Sequence, residues 1–90
     1  GVRAVTVGAD ITSKESVVRM AKTAESTLGM PDILVNNAVI QFQWTTVLEQ
    51  DLEDYEGQFR SCVLQNVIMA QTFVPAMKEA GWGRIVAMNT

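Results

Sequence analysis

Apolar and polar positions along the chain change period several times, and each change marks an element. Residues 2–9 alternate loosely and carry valines at Val2, Val5 and Val7, a pattern that suits a strand. Gly8-Ala9-Asp10 then lead the chain out of it. Val17, Met20, Ala21, Ala24 and Leu28 follow at three- and four-residue spacing, which predicts an amphipathic helix. Thr12 with Glu15 three residues later fits a capping box at its start, and Gly29 and Pro31 end it. Residues 32–37 form a short aliphatic and β-branched run closed by Asn36 and Asn37, which reads as a buried strand ending in polar residues. Strand, amphipathic helix, strand is the order of a βαβ unit in a parallel sheet.

The segment 39–50 has no single period: Phe42 and Trp44 alternate with Gln41 and Gln43 in a stretch that reads as a loop. Asp51 and Asp54 then suit the start of a long helix, because a carboxylate there accepts orphan backbone N–H groups and meets the positive end of the dipole. Leu52, Tyr55, Phe59, Cys62, Val63, Val67, Ala70, Phe73, Val74 and Met77 keep helical spacing, and predict one buried face. Between Cys62 and Phe73 the helix is apolar nearly all round, with Leu64, Ile68 and Met69 on a second face, so it should pack on two sides. Pro75 should bend or restart the helix and Gly81-Trp82-Gly83 should end it. Residues 84–88 read as a third short buried strand.

Composition narrows the classes of function. The 90 residues are 48% apolar, as expected of one small globular domain. Seven basic against ten acidic residues give a net charge of −3, and no basic stripe exists to hold nucleic-acid phosphates. Five acids, Glu49, Asp51, Glu53, Asp54 and Glu56, crowd together, and the helix start explains them. One cysteine and no histidine exclude an internal disulfide and the usual zinc ligand sets, and favour a reducing, cytoplasmic setting. Cys62 itself reads as a small buried packing residue. The apolar runs fall far short of the roughly 20 residues of a membrane span. The chain begins with Gly1 inside one expected strand and stops at Thr90 just after another, so both ends are expected to be cut.

The heptapeptide Asp32-Ile33-Leu34-Val35-Asn36-Asn37-Ala38 resembles the strand-four motif of the short-chain dehydrogenase/reductases, NAD(P)-dependent oxidoreductases with a Rossmann-like fold. Three further pieces stand in family order around it. Asp10-Ile11-Thr12 resembles the acidic turn after strand three, although the same residues serve equally as a plain helix-capping turn. Phe73-Val74-Pro75-Ala76-Met77-Lys78 resembles the end of the long helix before strand five, and residues 83–90 resemble that strand running into the catalytic-serine segment. The resemblance implies an α/β fold: part of a Rossmann-like doubly wound parallel sheet, three-layer αβα, holding strands three to five. It implies that Asp10, Ile11, Asn37 and Ala38 lie on the cofactor and that Thr90 takes the place of the substrate-binding serine, with no metal. Two positions depart from the family pattern. Val39 replaces the usual Gly, and Cys62 stands where many members carry the asparagine that holds a water in the proton relay.

The implied parent is an NAD(P)-dependent oxidoreductase of the carbonyl reductase or alcohol dehydrogenase type, faintly similar to the 3-oxoacyl-(acyl carrier protein) reductase-like members. Its expected partners are a small-molecule carbonyl or alcohol and other copies of itself, as a homodimer or homotetramer through the helix from Leu52 to Ala80, without nucleic acid or membrane. Residues 1–90 contain neither a glycine-rich Gly-x-Gly-x-x-Gly turn nor a Tyr-x-x-x-Lys; the only tyrosine, Tyr55, is followed four residues on by Phe59. The chain therefore reads as an incomplete NAD(P)-binding domain, inactive alone. The competing expectation is a catalytically silent α/β remnant or oligomerisation module that binds no cofactor. A response-regulator-like module is disfavoured, because no strand end carries an acidic metal cluster.

Overall fold

A computed structural model describes residues 1–39 and 43–88. The elements run α1 (Lys14–Leu28), β1 (Ile33–Asn36), α2 (Leu52–Phe59), a π-helical turn (Arg60–Leu64), α3 (Gln65–Ala80) and β2 (Arg84–Ala87). The helix expected before β1 is present, but its cap is one residue later than the capping box predicts. Ser13 is the N-cap, its hydroxyl accepting from Ser16 N–H at 3.3 Å. Thr12 instead turns back onto Asp10, an alternative open to short hydroxyl side chains near a helix start. Gly29, at φ 87°, ends α1 with its N–H on the Glu25 carbonyl.

β1 and β2 pair in parallel, Ile33 with Arg84, Leu34 with Ile85, Val35 with Val86 and Asn36 with Ala87. Pleat alternation sends Leu34 and Asn36 to one face, where each is only 7% exposed, and leaves Ile33 and Val35 at 54% and 55% on the other. The strand is therefore half-buried where the residue pattern predicts full burial, and β2, also expected buried, is exposed along its length. The cause is that α1 and α3 cover a single face: Val17 and Ala21 from α1 join Leu34 and the α3 residues Met69, Phe73 and Met77 in one core. Lys14 Nζ donates to Gln71 Oε1 at 2.8 Å across the same helix pair. These residues supply the sheet and one helical layer of the doubly wound α/β arrangement.

Residues 2–9 form no strand, contrary to their valine pattern. A strand exists only as a member of a hydrogen-bonded ladder. The described sheet has two members, β1 and β2, and residues 2–9 pair with neither of them.

The long helix is continuous in path from 52 to 80 but not in register. Gln65 N–H bonds the Arg60 carbonyl five residues back, and the inserted π turn rotates α2 relative to α3. The break falls there and not at Pro75, through which α3 continues. Twenty-nine residues at about 1.5 Å each span about 43 Å, most of the molecule's 48 Å long axis. Only the α3 half reaches the core. α2 buries no residue, so the single buried face predicted for the whole helix is confined to α3. At its far end the backbone turns in a Schellman motif, Trp82 N–H to the Met77 carbonyl and Gly81 N–H to Lys78, with Gly81 at φ 77°.

Candidate functional site

The expected site residues fall at two places. Asp10 and Ile11 precede α1; Asn37 and Ala38 follow β1. A connection of four residues joins the end of α1 to β1, so the helix runs back against the strand and its first turn lies toward the strand's C-terminal end. Ile11 packs on the core that contains Leu34, which ties the two places together. No hydrogen bond links Asp10 or Ile11 to Asn37 or Ala38 among the described residues.

Asp10 is held at every polar atom but one. Its N–H donates to Ser16 Oγ at 2.9 Å, its carbonyl accepts from Ser13 N–H at 3.1 Å, and its Oδ1 accepts both the N–H of Thr12 at 2.9 Å and the Thr12 hydroxyl at 2.6 Å. The Thr12 hydroxyl first, and then the Thr12 backbone N–H, hold this carboxyl below the ordinary aspartate range. The second oxygen, Oδ2, makes no hydrogen bond among the described residues and faces solvent with an exposed side chain. The result is an ionised acceptor fixed in position, suited to a donor such as an amino or hydroxyl group.

At the strand end, Asn37, Ala38 and Val39 are exposed. The informative residue is their neighbour. Asn36 is buried and its Oδ1 has no hydrogen-bond partner among the described residues. A buried acceptor without a donor is rare in folded proteins. Sequence reasoning chose Asn37 and passed over Asn36. The signal was available: Asn36 lies two residues after Leu34, and strand alternation puts both on the same buried face. Met88 N–H donates to the Asn36 carbonyl at 3.0 Å, so the chain leaves β2 beside the end of β1. Thr90, the expected catalytic hydroxyl, lies outside the described residues, as does Phe42.

On the long helix, the Cys62 thiol is exposed, which corrects the buried packing role expected of it. The π turn accounts for the change. It buries Ser61 and Gln65 and turns Cys62 outward, with Asn66 Nδ2 donating to the Cys62 carbonyl at 3.0 Å. Asp51 stands at the N-cap of α2 but its side chain makes no capping bond, and the Asp54 carboxylate accepts instead from the Gln50 carboxamide. Glu53 and Asp54 in the first turn still oppose the helix dipole favourably. No cluster of metal-ligating side chains occurs among the described residues.

Comparison with known proteins places this geometry. The profile of the short chain dehydrogenase family matches residues 1–90. The chain belongs to that family. It is 34% identical over 86 residues to 1-deoxy-11-beta-hydroxypentalenate dehydrogenase of Streptomyces arenae, covering 90% of this chain and 29% of that protein. It is 33% identical over 82 residues to the NADPH-dependent pterin aldehyde reductase of Arabidopsis thaliana, covering 91% and 34%. Among solved structures, L-sorbose reductase from Gluconobacter frateurii, complexed with NADPH and L-sorbose, superposes with a TM-score of 0.79 at 31% identity, covering 90% of this chain and 30% of that one. The chain spans about a third of the length of these relatives. No helix among the described residues is long and apolar enough to cross a membrane.

Proposed function

We propose that these residues are part of an NAD(P)-dependent oxidoreductase that interconverts a small-molecule carbonyl and an alcohol, with Thr90 as the substrate-orienting hydroxyl. The observation that carries this reading is the shared strand end. The parallel register sets Asn36 beside Ala87, so Asn37-Ala38 and Met88 leave the sheet at one edge. Open α/β sheets bind ligands beyond the carboxyl ends of their strands. The residues present fit the adenosine half of a dinucleotide: Asp10 Oδ2 is the free acceptor, Ile11 and Ala38 offer apolar contact, and Asn37 is an exposed carboxamide at the strand end. A bound nicotinamide nucleotide supplies the hydride. The protein's part on this segment is to hold the adenosine side and to donate a hydrogen bond from Thr90 to the carbonyl oxygen as negative charge develops there. The proton donor lies outside residues 1–90, which form an incomplete domain and turn nothing over alone.

Losing one such donor typically lowers kcat by roughly two to three orders of magnitude. In the complete protein, Thr90→Ala should lose that much turnover with cofactor affinity little changed, while Thr90→Ser retains it. A Thr90→Ala enzyme that turns over like the parent removes Thr90 from the mechanism. A parent that neither oxidises nor reduces any carbonyl or alcohol with NAD(H) or NADP(H) leaves the silent remnant, a reading that Cys62 at the relay position favours.

The same proposal extends to assembly. Leu52, Tyr55, Phe59, Val63 and Val67 are apolar residues of the long helix that the chain's own core leaves uncovered, each between 44% and 78% exposed. Exposed apolar surface along a helix suits an interaction face, and we assign it to a second copy of the chain in a homodimer or homotetramer. Light scattering of the complete protein should give a multiple of the monomer mass, and Phe59→Glu should reduce it. The free, exposed Cys62 thiol suits a reducing, cytoplasmic setting.

A further inference from the structure

No further inference is drawn: the strongest candidate, the open polar depression of about 320 Å³ at the start of α2 lined by Trp44, Thr45, Glu49, Gln50, Asp51 and Asp54, is an acidic cluster into which no buried, unpartnered side chain is aimed, and nothing in the structure shows what would occupy it.

Discussion

α2 and α3 are two halves of one helical path with the same apolar spacing, and they behave as different objects. α3 lays Met69, Phe73 and Met77 into the core with α1 and Leu34. α2 carries Leu52, Tyr55 and Phe59 at equivalent spacing and buries none of them. Between them the π turn resets the rotational phase of the helix, so apolar residues in step with one another before it no longer face the same way after it. Apolar periodicity is thus a capacity to be buried. Whether it is realised depends on which half of the helix lies over the sheet, and four-residue strands are about 13 Å long against a helix of about 43 Å.

The largest expected effect tests that contrast directly. Phe73, 3% exposed in the core, should cost about 3 to 5 kcal/mol when changed to Ala. Phe59→Ala, on the exposed half, should cost within about 0.5 kcal/mol in dilute monomer while weakening self-association. Urea unfolding of both variants at low concentration checks the pair. Equal losses would mean that α2 is packed against its own chain.

A smaller effect sits where α3 hands over to β2. A Cβ added to Gly83 would lie 2.5 to 2.7 Å from the Met77 side chain, itself buried. Gly83→Ala should destabilise by about 1 to 3 kcal/mol through overpacking. Because Met77→Ala removes the Sδ and Cγ that the new Cβ would meet, Gly83→Ala with Met77→Ala should recover part of the overpacking loss relative to the sum of the single variants, and a double-mutant cycle reads it.

The helix starts extend the comparison at about 1 kcal/mol. Ser13 caps α1 with a hydrogen bond and Asp51 caps α2 without one. Ser13→Ala should therefore cost about 1 kcal/mol and Asp51→Ala markedly less. Thermal unfolding that ranks the two substitutions the other way would show that the α2 cap forms in solution.

The smallest effect is the acid dependence of the α1 start. Asp10 has its carboxyl lowered in the folded state by Thr12, so its contribution is complete above the ordinary aspartate range and is lost as pH falls through the lowered value. Asp10→Asn should flatten stability against pH in that acid window and leave the neutral range nearly unchanged. The side chain is fully exposed, so the slope is shallow. A pH titration of stability in which parent and variant stay parallel from neutral to acid would remove the Asp10–Thr12 bond from the account.

Much of the molecule was legible in the residues because the controlling interactions are local. Helical spacing with Gly29 and Gly81 beyond the ends located α1 and the end of α3, and the aliphatic run before two asparagines located β1 within a residue at each end. The parallel sheet, the family and the strand-end position of Asn37-Ala38 followed from the same motifs, although the βαβ unit expected from residues 2–9 through α1 to β1 did not form. Other features had no local cause. Residues 2–9, with Val2, Val5 and Val7, and Ile33–Asn36, with Ile33, Leu34 and Val35, both read as strands. The second became a strand because Arg84–Ala87 offered its backbone a partner, and the first pairs with no strand of the described sheet. The π turn, the outward Cys62, the half-bare sheet and the buried Asn36 acceptor likewise depend on what lies across a face or an edge. Periodicity along a chain fixes which residues share a side, and only the arrangement of neighbouring elements decides which sides are covered.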